Sequence, residues 1–450
     1  MGAPTAARVA ALDILGAVRA GALGGPAFDA AVACLDDRDR AWTRELVFGT
    51  FRLRGRLDHR LAALSSRPLE SLDADILDIL RLGAYQLGEM QGVPAYAAVS
   101  QSVDLARRAG GRGAAGFVNG VLQSLRRVGG ASTFPAFEAD PAGFLTTWGS
   151  HPEWLVRRWL ARFGAESTRR LVDANNRRPE LYLRVFGDVE GARSRLRSAG
   201  AEVLPVPGAP RALQLIGGDI TAALAAAPSL VQDPAAGLVV SYAAVAPGHV
   251  VVDLAAAPGG KTLAMACDVA PEGPVLVVAS DLSRQRLRRL EENTARLNRQ
   301  APAGLAAVPV ALLVADGRRP PFRAADVVLL DAPCTGTGTL RRHPDGRWRI
   351  GPRDLRSLAA LQKEMLDAAA GIVAEDGLLV YSTCSLEPEE NEEQVASFLV
   401  RQPEFSLERG PALEGGVVQP DGTLSVLPQD HGWDGAFAAR LRRRSGSHAG

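Results

Sequence analysis

Lysine is nearly absent from this chain of 450 residues; Lys261 and Lys363 are the only two, and arginine carries the rest of the positive charge. A sequence that avoids lysine so strongly, yet keeps one inside a glycine loop, draws attention to Lys261. Cysteine is also scarce. Cys34, Cys267, Cys334 and Cys384 form no CxxC pair, and none has a histidine at zinc-ligand spacing. This excludes a zinc or disulfide framework and leaves reduced thiols available for chemistry. No apolar run reaches the roughly 18–20 residues that span a bilayer. The start, Met1-Gly-Ala-Pro-Thr, lacks the charged-then-apolar layout of a secretory signal, so a cytoplasmic protein without a membrane partner is expected. A net charge of +1 excludes a polycation, and any nucleic-acid binding must use local basic patches.

What is present is a chain too long for one ordinary core, which predicts two or three domains. Residues 1–130 read as all-helical: Val9, Leu12, Ile14, Leu15 and Val18 recur at helical intervals, 37–61 and 69–87 repeat the period, and Gly-Gly pairs at 110–111 and 129–130 interrupt it. Residues 131–230 read as a small α/β segment. It has a helix near 152–175 carrying Arg157, Arg158, Arg162, Arg169 and Arg170, and then a strand-like Leu181-Tyr-Leu-Arg-Val. Residues 231–445 alternate strands at 250–253, 274–280, 308–315, 325–331 and 377–383 with helices at 283–298 and 354–374. That pattern predicts a Rossmann-like parallel sheet covered on both faces. Only 445–450 reads as disordered.

Ligands of an open parallel sheet bind outside the carboxyl ends of its strands. There the five strands carry Asp253, Asp281, Asp316, Asp331 and Cys384. The first loop, Asp253-Leu-Ala-Ala-Ala-Pro-Gly-Gly-Lys-Thr262, lets the backbone approach a ligand at Gly259 and Gly260 and opens a helix whose free N–H groups suit an anionic tail. It also nearly matches a phosphate-binding GxxxxGK[ST] loop, with Ala255 in place of the first glycine; a nucleotide hydrolase is therefore the alternative from another class. Asp281 is set to accept the hydroxyls of a ribose and Asp316 to hold an adenine amino group, as S-adenosylmethionine or ATP would need. Cys334, in Asp331-Ala-Pro-Cys-Thr-Gly336, and Cys384, in Tyr381-Ser-Thr-Cys-Ser385, flank the same edge. A thiolate adding to C6 of a cytosine makes C5 nucleophilic toward an electrophilic methyl. Asp331 is placed to stabilise charge on the ring, and Cys334 or a water to take the C5 proton. Arg341, Arg342, His343, Arg347, Trp348 and Arg349 form a basic run with an aromatic, read either as RNA contacts or as a solvated loop. The acidic stretch 387–393 reads as a helix N-terminus, not a metal site.

The motifs DLAAAPGGKT (253–262), LLDAPCTGTGTLRRHPD (329–345) and YSTCSLEPEENEEQV (381–395) resemble those of the bacterial RNA cytosine-5 methyltransferases of the Sun/Fmu type, the ribosomal RNA small-subunit methyltransferase B family. Gln232-Asp-Pro-Ala235 and 430–438 resemble its entry and closing segments, with Ala255 and Ala436 as departures from the usual Cys and Phe. The resemblance covers the whole chain. It implies a NusB-like RNA-binding domain at the N-terminus and S-adenosylmethionine held by Ala255, Ala256, Ala257, Pro258, Gly259, Gly260, Lys261, Asp281, Asp316 and Asp331. It further implies Cys384 as nucleophile, Cys334 as the residue assisting product release, and a metal-free monomer acting on 16S ribosomal RNA. Transfer RNA and a non-catalytic assembly role are the other readings. In a calorimetric titration the protein is expected to bind S-adenosylmethionine and to give no signal with ATP and magnesium; the reverse result would favour the hydrolase.

Overall fold

The computed structural model describes residues 3–129, 133–300 and 308–445; the expected boundary at 130–131 and the polar end at 446–450 lie outside them. The chain divides into two compact units, Met1–Arg178 with Leu340–Pro352, and Pro179–Thr339 with Arg353–Gly450.

In the first unit, helices Ala6–Arg19, Gly24–Ala31, Asp37–Ala62, Ala74–Gly88 and Ala95–Val128 bury their apolar stripes on one core that includes Ile14, Leu46, Leu57, Ile79 and Leu122. Asp36 and Asp73 cap two of them, their side chains accepting from Asp39 N and Asp75 N, which satisfies donors left free at a helix start. Gly110 and Gly111 leave helical geometry inside the last helix, Gly111 with φ +74°. The helix expected near 152–175 is two helices, Glu153–Phe163 and Ala165–Asn176, separated at Gly164, whose φ of +76° a residue with a Cβ rarely adopts.

The basic run 341–349 departs from its reading as RNA contacts. Arg347 is fully buried. Its guanidinium donates to the carbonyls of Arg52 (3.1 Å), Ser150 (3.0 Å), Asn175 (3.2 Å) and Leu340 (3.3 Å), and to Asn176 Oδ1 (2.9 Å). Trp348 Nε1 donates to Phe51 O at 2.6 Å, and the buried Asp345 accepts from Gly24 N at 3.2 Å. Arg341 is buried too, while Arg342 and His343 keep exposure. The physical reason is that helix ends and turns leave carbonyls inside the unit, and a planar five-donor group satisfies several at once.

The second unit opens with a four-stranded antiparallel sheet: β1 (Leu181–Val185), β2 (Glu202–Pro205), β3 (Ala212–Gly217) and β4 (Ser229–Val231) in the order β2-β3-β1-β4. The large sheet follows with β5 (Val250–Asp253), β6 (Leu276–Asp281), β7 (Val310–Val314), β8 (Ala325–Asp331), β9 (Val373–Thr383), β10 (Phe405–Glu408), β11 (Leu424–Val426) and β12 (Ala436–Arg443). Its order is β10-β12-β9-β8-β5-β6-β7, with β11 on β12. β5 to β9 are parallel, but β12 runs antiparallel between β9 and β10, so the sheet is mixed and not purely parallel. Alanines and arginines hide β12 from a propensity reading. Arg440 nevertheless fits its buried face, donating to Tyr242 O and Ala243 O and pairing with Glu408. Each of Val251, Leu329 and Val380 is at most 1% exposed, roughly 2–3 kcal/mol of burial apiece. The chain order reverses between β5 and β8, which opens a crevice where Asp253 and Asp331 end their strands.

Arg347→Ala would strand at least four buried acceptors. A loss on the order of 3 kcal/mol or more is expected, read as a lower melting temperature, with Arg347→Lys rescuing little because an ammonium cannot reach the same set.

Candidate active site

The loop after β5 is clamped by hydrogen bonds from its own neighbours. Ala256 N donates to Ser280 O at 2.9 Å and Ala257 N to Asp281 Oδ2 at 3.2 Å, while Arg286 donates to Ala257 O. The Ala257–Pro258 peptide is cis. Gly259 has φ +99°, and a Cβ there would lie 2.3 Å from Leu290 Cδ1, so glycine is required by both conformation and space. Helix Gly260–Val269 starts next and aims Lys261 across the crevice.

Lys261 Nζ donates to Asp331 Oδ2 at 2.7 Å, and Ser382 Oγ donates to Asp331 Oδ1 at 2.8 Å. Burial alone would favour the neutral amine of Lys261. The Asp331 carboxylate outweighs it, with help from Cys384 and Asp253, and lifts the lysine pKa, so the side chain is an ammonium. Asp253 is buried at the end of β5. Thr262 Oγ1 donates to its Oδ2 at 2.6 Å, while its Oδ1 has no hydrogen-bond donor among the described residues. Burial, reinforced by the negative Asp331 and opposed by Thr262, pushes its carboxyl up to about 7.

Cys334 Sγ and Cys384 Sγ are 3.4 Å apart, both half-buried free thiols. The hydrogen bond with Cys384 and burial raise the Cys334 thiol well above its ordinary range. The two cysteine loops are laced together. Gly338 N donates to Cys384 O at 2.9 Å, and Gly435 N to Gly338 O at 2.7 Å. A Cβ on Gly338 would meet Gly435 Cα at 2.7 Å and Cys384 O at 2.8 Å. Leu386 N donates to Thr337 Oγ1 at 2.8 Å, and Ser385 Oγ shares hydrogen bonds with Thr335 and Thr337.

The sequence reading missed the centre of this lacing. Glu390 is fully buried. Its Oε1 accepts from Thr335 N (2.9 Å) and Gln362 Nε2 (3.0 Å), and its Oε2 from Thr335 Oγ1 (2.5 Å). Tyr381 donates to Glu390 O at 2.6 Å, and Gln362 Nε2 also donates to Pro333 O at 2.9 Å. In the acidic stretch, Glu392 and Glu393 do lie in the first turn of helix Glu392–Arg401, but Glu390 precedes it. The available signal was Gln362, a polar residue on the apolar stripe of helix Pro352–Ala370.

Of the expected residues, Lys261, Asp331, Cys334 and Cys384 therefore converge with Asp253. Asp281 sits under the loop, its Oδ1 accepting from Ser283 N at 2.8 Å. Asp316 follows the edge strand β7, between Ala315, whose N donates to Asp281 O at 3.2 Å, and Gly317, where a Cβ would lie 3.2 Å from Leu254 O. Hydrogen bonds from Arg318 hold its exposed carboxyl down at about 2, and no hydrogen bond among the described residues joins it to the other aspartates.

The 16S rRNA methyltransferase RsmB/F family model matches residues 242–442, the NusB family model residues 5–127, and the ferredoxin-like domain model of RsmF/B-like methyltransferases residues 151–220. The ribosomal RNA small subunit methyltransferase B of Salmonella paratyphi C (strain RKS4594) is 35% identical over 421 residues, 91% of each chain. The crystal structure of PH0851 matches with a TM-score of 0.76 at 24% identity, covering 98% of this chain and 100% of that one. That of NSun6 from Pyrococcus horikoshii with SFG matches with a TM-score of 0.55 at 22% identity, covering 65% and 98%.

An unfolded aspartate titrates near 4, so native Asp253 holds its proton more tightly. Its contribution to stability is complete below pH ~4 and is lost as pH rises through about 7. Asp253→Asn is expected to melt progressively higher than the ligand-free parent between pH 5 and pH 8 in scanning calorimetry; parallel curves would refute the assignment.

Proposed function

The chain belongs to the RsmB/F family of 16S rRNA methyltransferases, and we propose that it methylates C5 of a cytosine in 16S ribosomal RNA through a covalent bond between Cys384 and C6 of the base. It is an S-adenosylmethionine-dependent RNA methyltransferase. The observation that carries the finer reading is the thiol pair at 3.4 Å beside the Lys261–Asp331 ion pair.

The residues fit a cationic cofactor. Asp253 presents a buried oxygen without a hydrogen-bond donor among the described residues, and Asp331 and Asp281 add negative charge at the same edge. The sulfonium and ammonium of S-adenosylmethionine complement that field, whereas a triphosphate would be repelled. Lys261 and Thr262, the residues a phosphate loop would turn to phosphate and magnesium, are engaged by Asp331 and Asp253. SFG, a cofactor analogue, accompanies the NSun6 relative. We assign the backbone of 255–260 and the carboxylates of Asp253 and Asp281 to the cofactor, with Asp316 at its rim once Arg318 yields.

The side chains then divide the chemistry. Lys261 steadies negative charge on the sulfur of Cys384, which adds to C6 while the ring's electron pair moves toward C5. Asp331, held by Ser382 and Lys261, would accept from the N4 amino group and relay a proton from the Lys261 ammonium to N3, which neutralises the charge that thiolate addition puts on the ring and is returned when the ring is restored. When bound, S-adenosylmethionine supplies the electrophilic methyl carbon that C5 accepts. Loss of the C5 proton to Cys334 or a water restores the C5–C6 double bond and breaks the C6–S bond, freeing Cys384. The NusB match at 5–127 and the family's name support ribosomal RNA over transfer RNA, and with it a cytoplasmic setting; among the described residues no helix is long and apolar enough to cross a membrane.

Bisulfite sequencing of total RNA from cells with and without the gene is expected to lose one 16S rRNA 5-methylcytosine. Cys384→Ala is expected to reproduce that loss, and Cys334→Ala to give a slow-migrating protein–RNA adduct on a denaturing gel. A Cys384→Ala strain that keeps the mark would overturn the covalent mechanism.

A further inference from the structure

The two thiols are alike in chemistry and 3.4 Å apart, so something must decide which of them is the nucleophile. Their surroundings are polarised. The buried Glu390 carboxylate is tied to Thr335, the residue after Cys334, by both N (2.9 Å) and Oγ1 (2.5 Å), with the Tyr381 hydroxyl on the Glu390 carbonyl; Ser385, the residue after Cys384, reaches the same carboxylate, and the charge of Glu390 acts on the sulfur of Cys334. On the side of Cys384 stands the ammonium of Lys261, 2.7 Å from Asp331, with Asp253 behind it. We propose that Glu390 is a positioning residue that keeps the proton of the thiol pair on Cys334, so that Cys334 S–H donates to the sulfur of Cys384.

This rests on Cys384 being the nucleophile and changes the part given to Cys334. A negative charge close to Cys334 opposes a second one on its sulfur; the hydrogen bond with Cys384, burial and the charge of Cys384 raise that thiol most, and Glu390 adds to them. Of the ionisable groups around the pair, Lys261 is the cation and Asp331 its carboxylate partner; burial pushes the Asp253 carboxyl up to about 7 and also raises that of Glu390, against hydrogen bonds from Ser385, Thr335 and Gln362 that favour its charged form; Tyr381 stays protonated, its pKa raised by burial. In the release step, a water takes the C5 proton, the C5–H electron pair forms the C5–C6 double bond, and the C6–S pair returns to Cys384. The Cys334 S–H then donates to the departing thiolate, which makes Cys334 the hydrogen-bond donor of product release and the water its base. Removing that donor slows departure of the sulfur, so an adduct in Cys334→Ala follows on this account as well.

Alkylation reports the thiolate directly. The full-length protein is treated with iodoacetamide between pH 6 and pH 9, and each cysteine is followed by peptide mass spectrometry. In the parent, Cys384 is expected to react at least about tenfold faster than Cys334 across the range. Glu390→Gln, which removes the charge and keeps the shape, is expected to raise the Cys334 rate several-fold and to shift its pH profile down, with Cys384 little changed. Thr335→Val, which removes one tether but leaves the charge, is expected to preserve the order. Parent protein in which Cys334 reacts first overturns the proposal without any variant having to fold, and so does a folded Glu390→Gln with an unchanged ratio. If Cys384→Ala still methylates RNA, the underlying reading fails; if it is inactive and Cys334 nevertheless reacts first, only the role given to Glu390 fails.

Discussion

The ion pair between Lys261 and Asp331 is the interaction on which the crevice proposed as the active site depends. β5 and β8 bring Asp253 and Asp331 to neighbouring strand ends at the point where the strand order reverses. Two carboxylates and two thiols gathered in a largely buried edge would repel one another once ionised. One ammonium delivered by the first turn of helix Gly260–Val269 offsets that repulsion, which accounts for a chain with two lysines retaining one of them here.

A second constraint is steric. The loops carrying the thiols come from β8 and β9, adjacent parallel strands, and are brought together by backbone crossing backbone. Gly338 and Gly435 approach so closely that a methyl on either would fall within 2.8 Å of the other's Cα. Glu390, Gln362 and Tyr381 then fill the space beneath with hydrogen bonds. Buried polar groups that are fully engaged hold one arrangement rigidly, and the separation of the two sulfurs inherits that rigidity.

Much of this was legible in the amino-acid order. The five parallel strands lie close to where apolar runs bounded by glycine and aspartate put them, because the runs of the central strands are buried on both faces, and the edge strand β7 keeps the same valine- and leucine-rich run although it is largely exposed. Cys384 and Asp331 could be picked out because they follow such runs. The misses have physical causes. β12 is built of alanine and arginine, and its burial depends on Glu408 and on the carbonyls of Tyr242 and Ala243, partners distant in sequence. Glu390 stood in an acidic stretch with the buried Glu387 and with Glu392 and Glu393, exposed in the first turn of a helix, and no local pattern separates the buried carboxylates from the exposed ones. The arginines of 341–349 carry the composition of a nucleic-acid contact, yet Arg347 and Arg341 are buried; composition reports charge, not which way a side chain turns.

The placement of Leu340–Pro352 has a consequence for how the protein comes into being. The helical unit is encoded mainly before residue 179, but the guanidinium that satisfies its internal carbonyls arrives much later in the chain. At about 5–20 residues per second of synthesis, the nascent helices wait roughly ten to thirty seconds for it. Throughout that interval the carbonyls of Ser150 and Asn175 lack the donor that serves them in the finished chain, and that donor emerges only after the stretch that bears Cys334.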